Sequence, residues 1–272
     1  MTINCNGNLI DLATPKVMGI LNITPDSFFD GGKYKHEKDI LNQTKKMLDE
    51  GATFIDVGAY SSKPNAKKIS EAEELMRIIP VIKLLNKHFP EIIISVDTFR
   101  SNVAKESINT GASIINDISG GVLDAKMFAT VAALQVPYII MHMQGTPQNM
   151  QLNPVYDDVV KEVIAFFSIQ LYKLREFKVN DIIVDVGFGF GKTTTHNYEL
   201  LKKLALFKSL GVPILTGVSR KSMLYEVLDI LPEKALNATT VANTIALLNG
   251  TNILRVHDVK EAVEAISIVN KL

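Results

Sequence analysis

The chain has no tryptophan and a single cysteine, Cys5, in 272 residues. One cysteine excludes an internal disulfide and a cysteine-built metal cluster. An excess of either charge is missing too: 29 Lys and Arg stand against 29 Asp and Glu. That balance gives no global pull toward nucleic acid or a membrane surface. No apolar run approaches the length of a membrane helix. The first residues, MTINCNGNLIDLATP, lack the basic start and apolar run of a secretory leader. A soluble cytoplasmic protein is the expectation. There is no linker and no low-complexity tract. With 47% hydrophobic and 21% charged residues, the composition supports a large core and argues against disorder.

Eight short apolar runs are present, with amphipathic segments between them. They are 16–23, 53–58, 91–97, 112–118, 137–143, 181–187, 213–219 and 252–258. Between the first two, Ile40, Leu41, Met47 and Leu48 share one helical face, and Gly51 stands in stop position. Ser70 and Glu73 carry the capping-box signature of the next helix, and Pro80 should kink that helix or mark its start. Strands apolar on both faces, alternating with helices, predict a parallel sheet covered by helices. Eight such units in about 250 residues match a (β/α)8 TIM barrel, an α/β fold, as one domain over 1–272. A doubly wound open sheet is the alternative. The stretch 144–154 reads as a long loop.

Polar residues collect where these strands end. Asn22, Thr24 and Asp26 follow the first run. Asp56 lies in the second, with Ser61, Ser62 and Lys63 after it. Asp97 ends the third, Asn116 and Asp117 the fourth, His142 the fifth and Asp185 the sixth. Ser219, Arg220 and Lys221 follow the seventh, and Arg255 and His257 end the eighth. In a barrel these ends converge on one mouth. Each alone has a bland explanation: Asp117 capping a turn, or Arg255 pairing with Asp258. Together they suggest acceptors for a flat heterocycle (Asp97, Asn116, Asp185) and donors for phosphate or carboxylate (Lys221, Arg255, His257). Asn22 offers a hard oxygen to Mg2+. No nucleophile elbow and no zinc-type histidine pair is present. VDVGFGFGKTTTHN invites a phosphate-loop reading, but Val186 stands where the opening glycine belongs, so the loop is one residue short.

The segments MGILNITPDSFFDGG, SVDTFR, INDISGG, MHMQGTP, DVGFGFGKTTTHN, TGVSRKS and LRVHD resemble dihydropteroate synthases, in order and along essentially the whole chain. The resemblance implies a usually dimeric barrel and a transferase of folate and tetrahydrofolate biosynthesis. It would join (7,8-dihydropterin-6-yl)methyl diphosphate to 4-aminobenzoate, releasing diphosphate, with Mg2+ as cofactor and sulfonamides as inhibitors. It implies pterin diphosphate contacts at Asn22, Ser62, Asp97, Asn116, Met141, Asp185, Gly217, Lys221, Arg255 and His257. Aminobenzoate contacts fall on Ser62, Pro64, Phe190, Ser219 and Lys221. The implied catalytic set is Asn22, Lys63, Asp97, Asp185, Lys221, Arg255 and His257, with the metal on Asn22.

The second loop departs from the family pattern Asp-Ile/Val-Gly-Gly-Glu-Ser-Thr-Arg-Pro-Gly. Tyr60 replaces the acid, Ser62 the threonine and Lys63 the arginine; Val186 replaces a proline of the later motif. Lys63 keeps charge and loses the planar fork. Two rival readings are a methyltetrahydrofolate-binding methyltransferase and a non-catalytic pterin-binding barrel. The first needs no diphosphate site, so Arg255 and His257 speak against it.

Overall fold

The computed structural model describes residues 1–23, 37–60 and 68–272. Eight parallel strands close into a barrel: β3 (Lys16–Asn22), β4 (Phe54–Gly58), β5 (Ile94–Asp97), β6 (Ile114–Asp117), β7 (Tyr138–Met141), β8 (Ile182–Asp185), β9 (Ile214–Thr216) and β10 (Ile253–Val256). β10 closes the ring by pairing with β3, Arg255 lying opposite Met18. The closed ring excludes the open sheet. Each strand sits inside its expected run, because sealing both faces makes every position apolar or functional.

A two-stranded antiparallel hairpin, β1 (Thr2–Cys5) and β2 (Asn8–Asp11), precedes the barrel. Its turn is Asn6-Gly7, with φ of 52° and 88°, the positive pair that a tight hairpin turn needs. The turn signal lies in the sequence, yet reading the segment only for a leader misses the hairpin. Ile3, Cys5 and Leu12 pack with Met18, Phe54, Ile114, Ile139, Ile183, Leu215 and Ile253. The hairpin thus plugs the end of the barrel away from the strand C-termini.

Helices cover the outside: α1 (Glu37–Asp49), α2 (Glu71–His88), α3 (Ser101–Asn109), α4 (Met127–Leu134), α5 (Val159–Glu176), α6 (Thr194–Lys202), α7 (Ser222–Tyr225), α8 (Leu236–Leu248) and α9 (Val259–Val269). Ser70 caps α2, accepting from the Glu73 N–H at 3.1 Å, but the Glu73 carboxylate pairs with Arg77 and does not reach back. Half of the expected box forms, and the helix starts there and runs through Pro80. Among the described residues no helix is long and apolar enough to cross a membrane. The 144–154 segment is turns and bends, as expected.

Candidate active site

Side chains alternate in and out along a strand. The inward residues of the lower layer are the apolar set that meets the hairpin. Two residues further on, the same face carries Asp56 after Phe54, Asn116 after Ile114 and Met141 after Ile139. It carries Asp185 after Ile183, Gly217 after Leu215 and Arg255 after Ile253. A polar layer therefore lies directly above an apolar floor, at the mouth formed by strand C-termini. The register places Asn22 beside Gly58, Gly58 beside Asp97, Asp97 beside Asn116, and Met141 beside Asp185.

Asp56, fully buried, is the hub. It accepts from Ser95 Oγ at 2.6 Å, Asn116 Nδ2 at 3.0 Å and Arg255 Nε at 2.6 Å. Arg255 also gives Nη2 to Asp97 at 3.1 Å. The pairing of Arg255 with Asp258 is therefore corrected. Arg220 takes Asp258 instead, through a two-pronged contact at 2.7 and 2.8 Å. Arg220 has φ of 53° and turns the chain between Ser219 and Lys221, so the ion pair fixes both neighbours.

Burial drives the electrostatics. It raises the Asp97 carboxyl to about 7, against the pull of Arg255, with Asp56 adding to the rise. It also raises Asp185, which Lys221, the Gly187 N–H and Arg255 pull back. Burial lowers Lys221 to about 8, opposed by Asp185. It lowers His257 to about 4, helped by Arg255, so that imidazole is neutral at pH 7. Asp117 is saturated by Ser119, Gly121 and Tyr138, which gives it the structural duty of holding a turn.

Gly217 gauges the space between these groups. A Cβ there would lie 3.8 Å from Asp185 Oδ2 and 4.0 Å from Lys221 Nζ. Asn22 Oδ1 and Asp97 share the space over Gly58 in the same way. On the other wall, Lys221 donates to the Phe188 carbonyl and sits 4.8 Å above the Phe190 ring centroid. Ser219 Oγ meets His257 Nδ1 at 3.0 Å. Ser62, Lys63, Pro64, Thr24, Asp26 and Ser61 lie outside the described residues. Tyr60 sits at the rim, its hydroxyl accepting from Gln148 Nε2 at 3.0 Å and its ring edge-on to Phe99.

The expected set is otherwise brought together: Asn22, Asp97, Asn116, Met141, Asp185, Gly217, Lys221, Arg255, His257, Ser219 and Phe190 all belong to strand ends or loops of one mouth. The pattern of polar strand ends does not point to Ser95 or Lys192, and it gives Asp56 no partner. The alternation of β4 holds the signal for Asp56, a carboxylate on the inward face of a strand whose neighbours are apolar.

A layer of carboxylate and amide acceptors above an apolar floor, with cations to either side, is chemistry that suits a flat, polar-edged heterocycle. In agreement, the family model for pterin binding enzymes matches residues 18–257. The chain is 43% identical over 275 residues to the dihydropteroate synthase of Escherichia coli strain K12, spanning 99% of this chain and 95% of that one. It is 43% identical over 261 residues to the Haemophilus influenzae enzyme, spanning 95% and 94%. Among solved structures, the Yersinia pestis dihydropteroate synthase with a sulfonamide drug aligns at TM-score 0.96 and 41% identity, covering 100% and 98% of the two chains. The Xanthomonas albilineans enzyme with 4-aminobenzoic acid aligns at 0.91 and 36%, covering 99% and 97%. The chain belongs to the dihydropteroate synthase family, and it is a transferase of folate synthesis.

Proposed function

We propose that this chain, as one pterin-binding domain over 1–272, transfers the pterin-methyl group of (7,8-dihydropterin-6-yl)methyl diphosphate to the amine of 4-aminobenzoate. The observation that carries the reading is the strand-end layer of Asp97, Asn116 and Asp185, with Asp185, Arg255 and Lys221 about Gly217 and Asp97 beside Asn22 over Gly58. Ring N–H groups would donate to the carboxylates of Asp97 and Asp185 and to the Asn116 amide oxygen. Met141, buried between them in register with Asp185, would form the apolar face under the ring. Two carboxylates on the ring favour positive charge spreading from the exocyclic carbon as its C–O bond breaks.

The diphosphate leaves with the bonding pair. Arg255 keeps Nη1 for it while Nε and Nη2 are held by Asp56 and Asp97. His257, neutral, would donate a ring N–H, and Lys63 would add a cation from the second loop. The neutral amine then attacks the carbon, and the new ammonium passes its proton to the released diphosphate or to water, so no strong base is required. Phe190, with Pro64 and Ser62, would pack the aminobenzoate ring, and Lys221 with Ser219 would take its carboxylate. The helix after Ser219 is only the four residues of α7, so side chains rather than a helix terminus supply that anchor.

The residues fit Mg2+ bound in company with diphosphate. Such an ion keeps several waters and takes one or two protein oxygens. Asn22 Oδ1, beside Gly58 and Asp97, is one such oxygen. Among the described residues no cluster of three His, Cys, Asp or Glu offers a cage independent of substrate. When bound, Mg2+ neutralises charge on the departing diphosphate.

The homodimer expected from the resemblance has support on α8. Val241, Ile245 and Leu248 recur at helical spacing and are 53%, 38% and 57% exposed. A second copy of the chain would cover that stripe. The cytoplasm, where both substrates would be made and used, is the proposed location.

Diphosphate release that requires both substrates and Mg2+ tests the reaction. Absence of turnover under those conditions leaves the non-catalytic barrel. Two further results are expected. Sulfonamides, which pair an aniline with an anionic end, should compete with 4-aminobenzoate; a purely noncompetitive pattern would reject a shared pocket. kcat/KM for the pterin diphosphate should rise as the Asp97 cluster ionises near 7, and kcat/KM for 4-aminobenzoate should fall on an alkaline limb as Lys221 loses its proton near 8. Lys221→Arg should carry the alkaline limb upward, and an unmoved limb would assign it elsewhere.

A further inference from the structure

Lys192 closes the sequence motif that imitates a phosphate loop, but its side chain turns inward. It is 3% exposed. Its Nζ reaches the carbonyls of Gly187 at 3.0 Å, Phe190 at 3.0 Å and His142 at 3.2 Å, and His142 Nδ1 at 3.0 Å. Three carbonyls and one imidazole nitrogen converge on one amine, and none of these four partners is a carboxylate. Burial draws Lys192 down to about 7 and His142 to about 3. His142 is therefore a neutral imidazole whose Nδ1 lies in hydrogen-bond contact with the amine.

The contacts fall on the loop that carries Phe190. Residues 187–190 form a tight turn, the Phe190 N–H donating to the Gly187 carbonyl at 3.1 Å. Gly187 has φ of 72°, and a Cβ there would collide with the His142 carbonyl oxygen, so the turn lies flat against the β7 loop. Every carbonyl from 187 to 191 is held by a side chain. Lys192 takes those of Gly187 and Phe190, Lys221 that of Phe188, Gln151 that of Gly189 and Tyr156 that of Gly191. Backbone carbonyls of a loop ordinarily face water. Here Lys192 alone clamps both ends of the turn and ties it to His142, the residue after β7.

We infer that Lys192 is a positioning residue for the aromatic amine substrate: its ammonium group fixes the 187–190 turn and so sets the Phe190 ring and the Lys221 ammonium against each other. The inference rests on the synthase reading above. Lys192 touches no substrate in that reading. A displaced turn would move Phe190 and the carbonyl that orients Lys221 together, while the strand-borne acceptors Asp97 and Asn116 stay in place.

The test is steady-state kinetics of Lys192→Met with each substrate varied in turn, beside wild type. Wild-type turnover comes first; its absence overturns the synthase reading and leaves Lys192 out of the question. With wild type active, KM for 4-aminobenzoate should rise at least tenfold in the variant, and KM for the pterin diphosphate should change less than threefold. Lys192→Gln, which keeps two N–H donors, should recover part of the loss. Both KM values rising alike, or neither rising while thermal stability falls, overturns the inference. If neither variant folds, Lys192 is a stability element only and the inference falls as well.

Discussion

Asp185→Asn should lower kcat/KM by about 10²–10³-fold, the usual effect of removing one preorganised electrostatic partner from a reacting centre. The exchange keeps size and shape and deletes charge. Asp185 Oδ1 accepts from the Gly187 N–H at 2.8 Å, and an amide oxygen can still accept that bond. Burial raises the Asp185 pKa, so its charge is not a comfortable one in the fold. Removing it should leave thermal unfolding unchanged or slightly improved. Loss of activity with an intact melting curve is therefore the expected pair of results. Near-wild-type turnover would remove Asp185 from the reacting centre. Lost stability would make it a scaffold residue.

A larger disturbance is expected from Arg255→Ala. Arg255 is 19% exposed and pairs with Asp56, which is fully buried, and with Asp97. Removing one partner from a buried pair typically costs about 3–5 kcal/mol, because a charge is left without compensation. In a chain of this size that corresponds to a fall in Tm of roughly 6–20 °C. Diphosphate affinity should fall as well, by about ten- to a hundredfold, the worth of one charge-assisted contact. The alanine variant mixes both effects, so Arg255→Lys separates them. Lysine keeps a charge for Asp56 and loses the fork. It should recover most of the stability and little of the diphosphate affinity, as measured by calorimetric titration with inorganic diphosphate. Full recovery of diphosphate binding by lysine would show that a fork is not needed there. Unchanged stability in the alanine variant would contradict the hub.

The eight barrel strands were legible because each is buried on both faces and bounded by helical periodicity. The polar mouth was legible because its residues stand at strand ends, where an apolar run stops. Asn6-Gly7 announces the hairpin, but its four-residue, half-exposed strands do not stand out as apolar runs. The partner of Arg255 could not be read: Asp258 is three residues away, whereas Asp56 and Asp97 are 199 and 158 away. Only barrel closure brings β10 to face β4 and β5. Lys192 was hidden for another reason. Its motif resembles a phosphate loop, and nothing in the letters says whether that ammonium group faces a ligand or the protein's own carbonyls. The roles of Ser62, Lys63 and Pro64 rest on resemblance, since those positions fall outside the described residues.

The hairpin has a bearing on kinetic order. Ile3, Cys5 and Leu12 fill one end of the barrel, and the lower inward layer is apolar throughout. Among the described residues that end is closed, which leaves the mouth at the strand C-termini as the way in and out. In the proposed arrangement the pterin lies against the layer above that floor and Phe190 stands nearer the rim. An aminobenzoate already seated at the rim would stand in the path of the pterin. The two substrates should then bind in compulsory sequence, pterin first, and excess aminobenzoate should slow the reaction by occupying the doorway of an empty barrel.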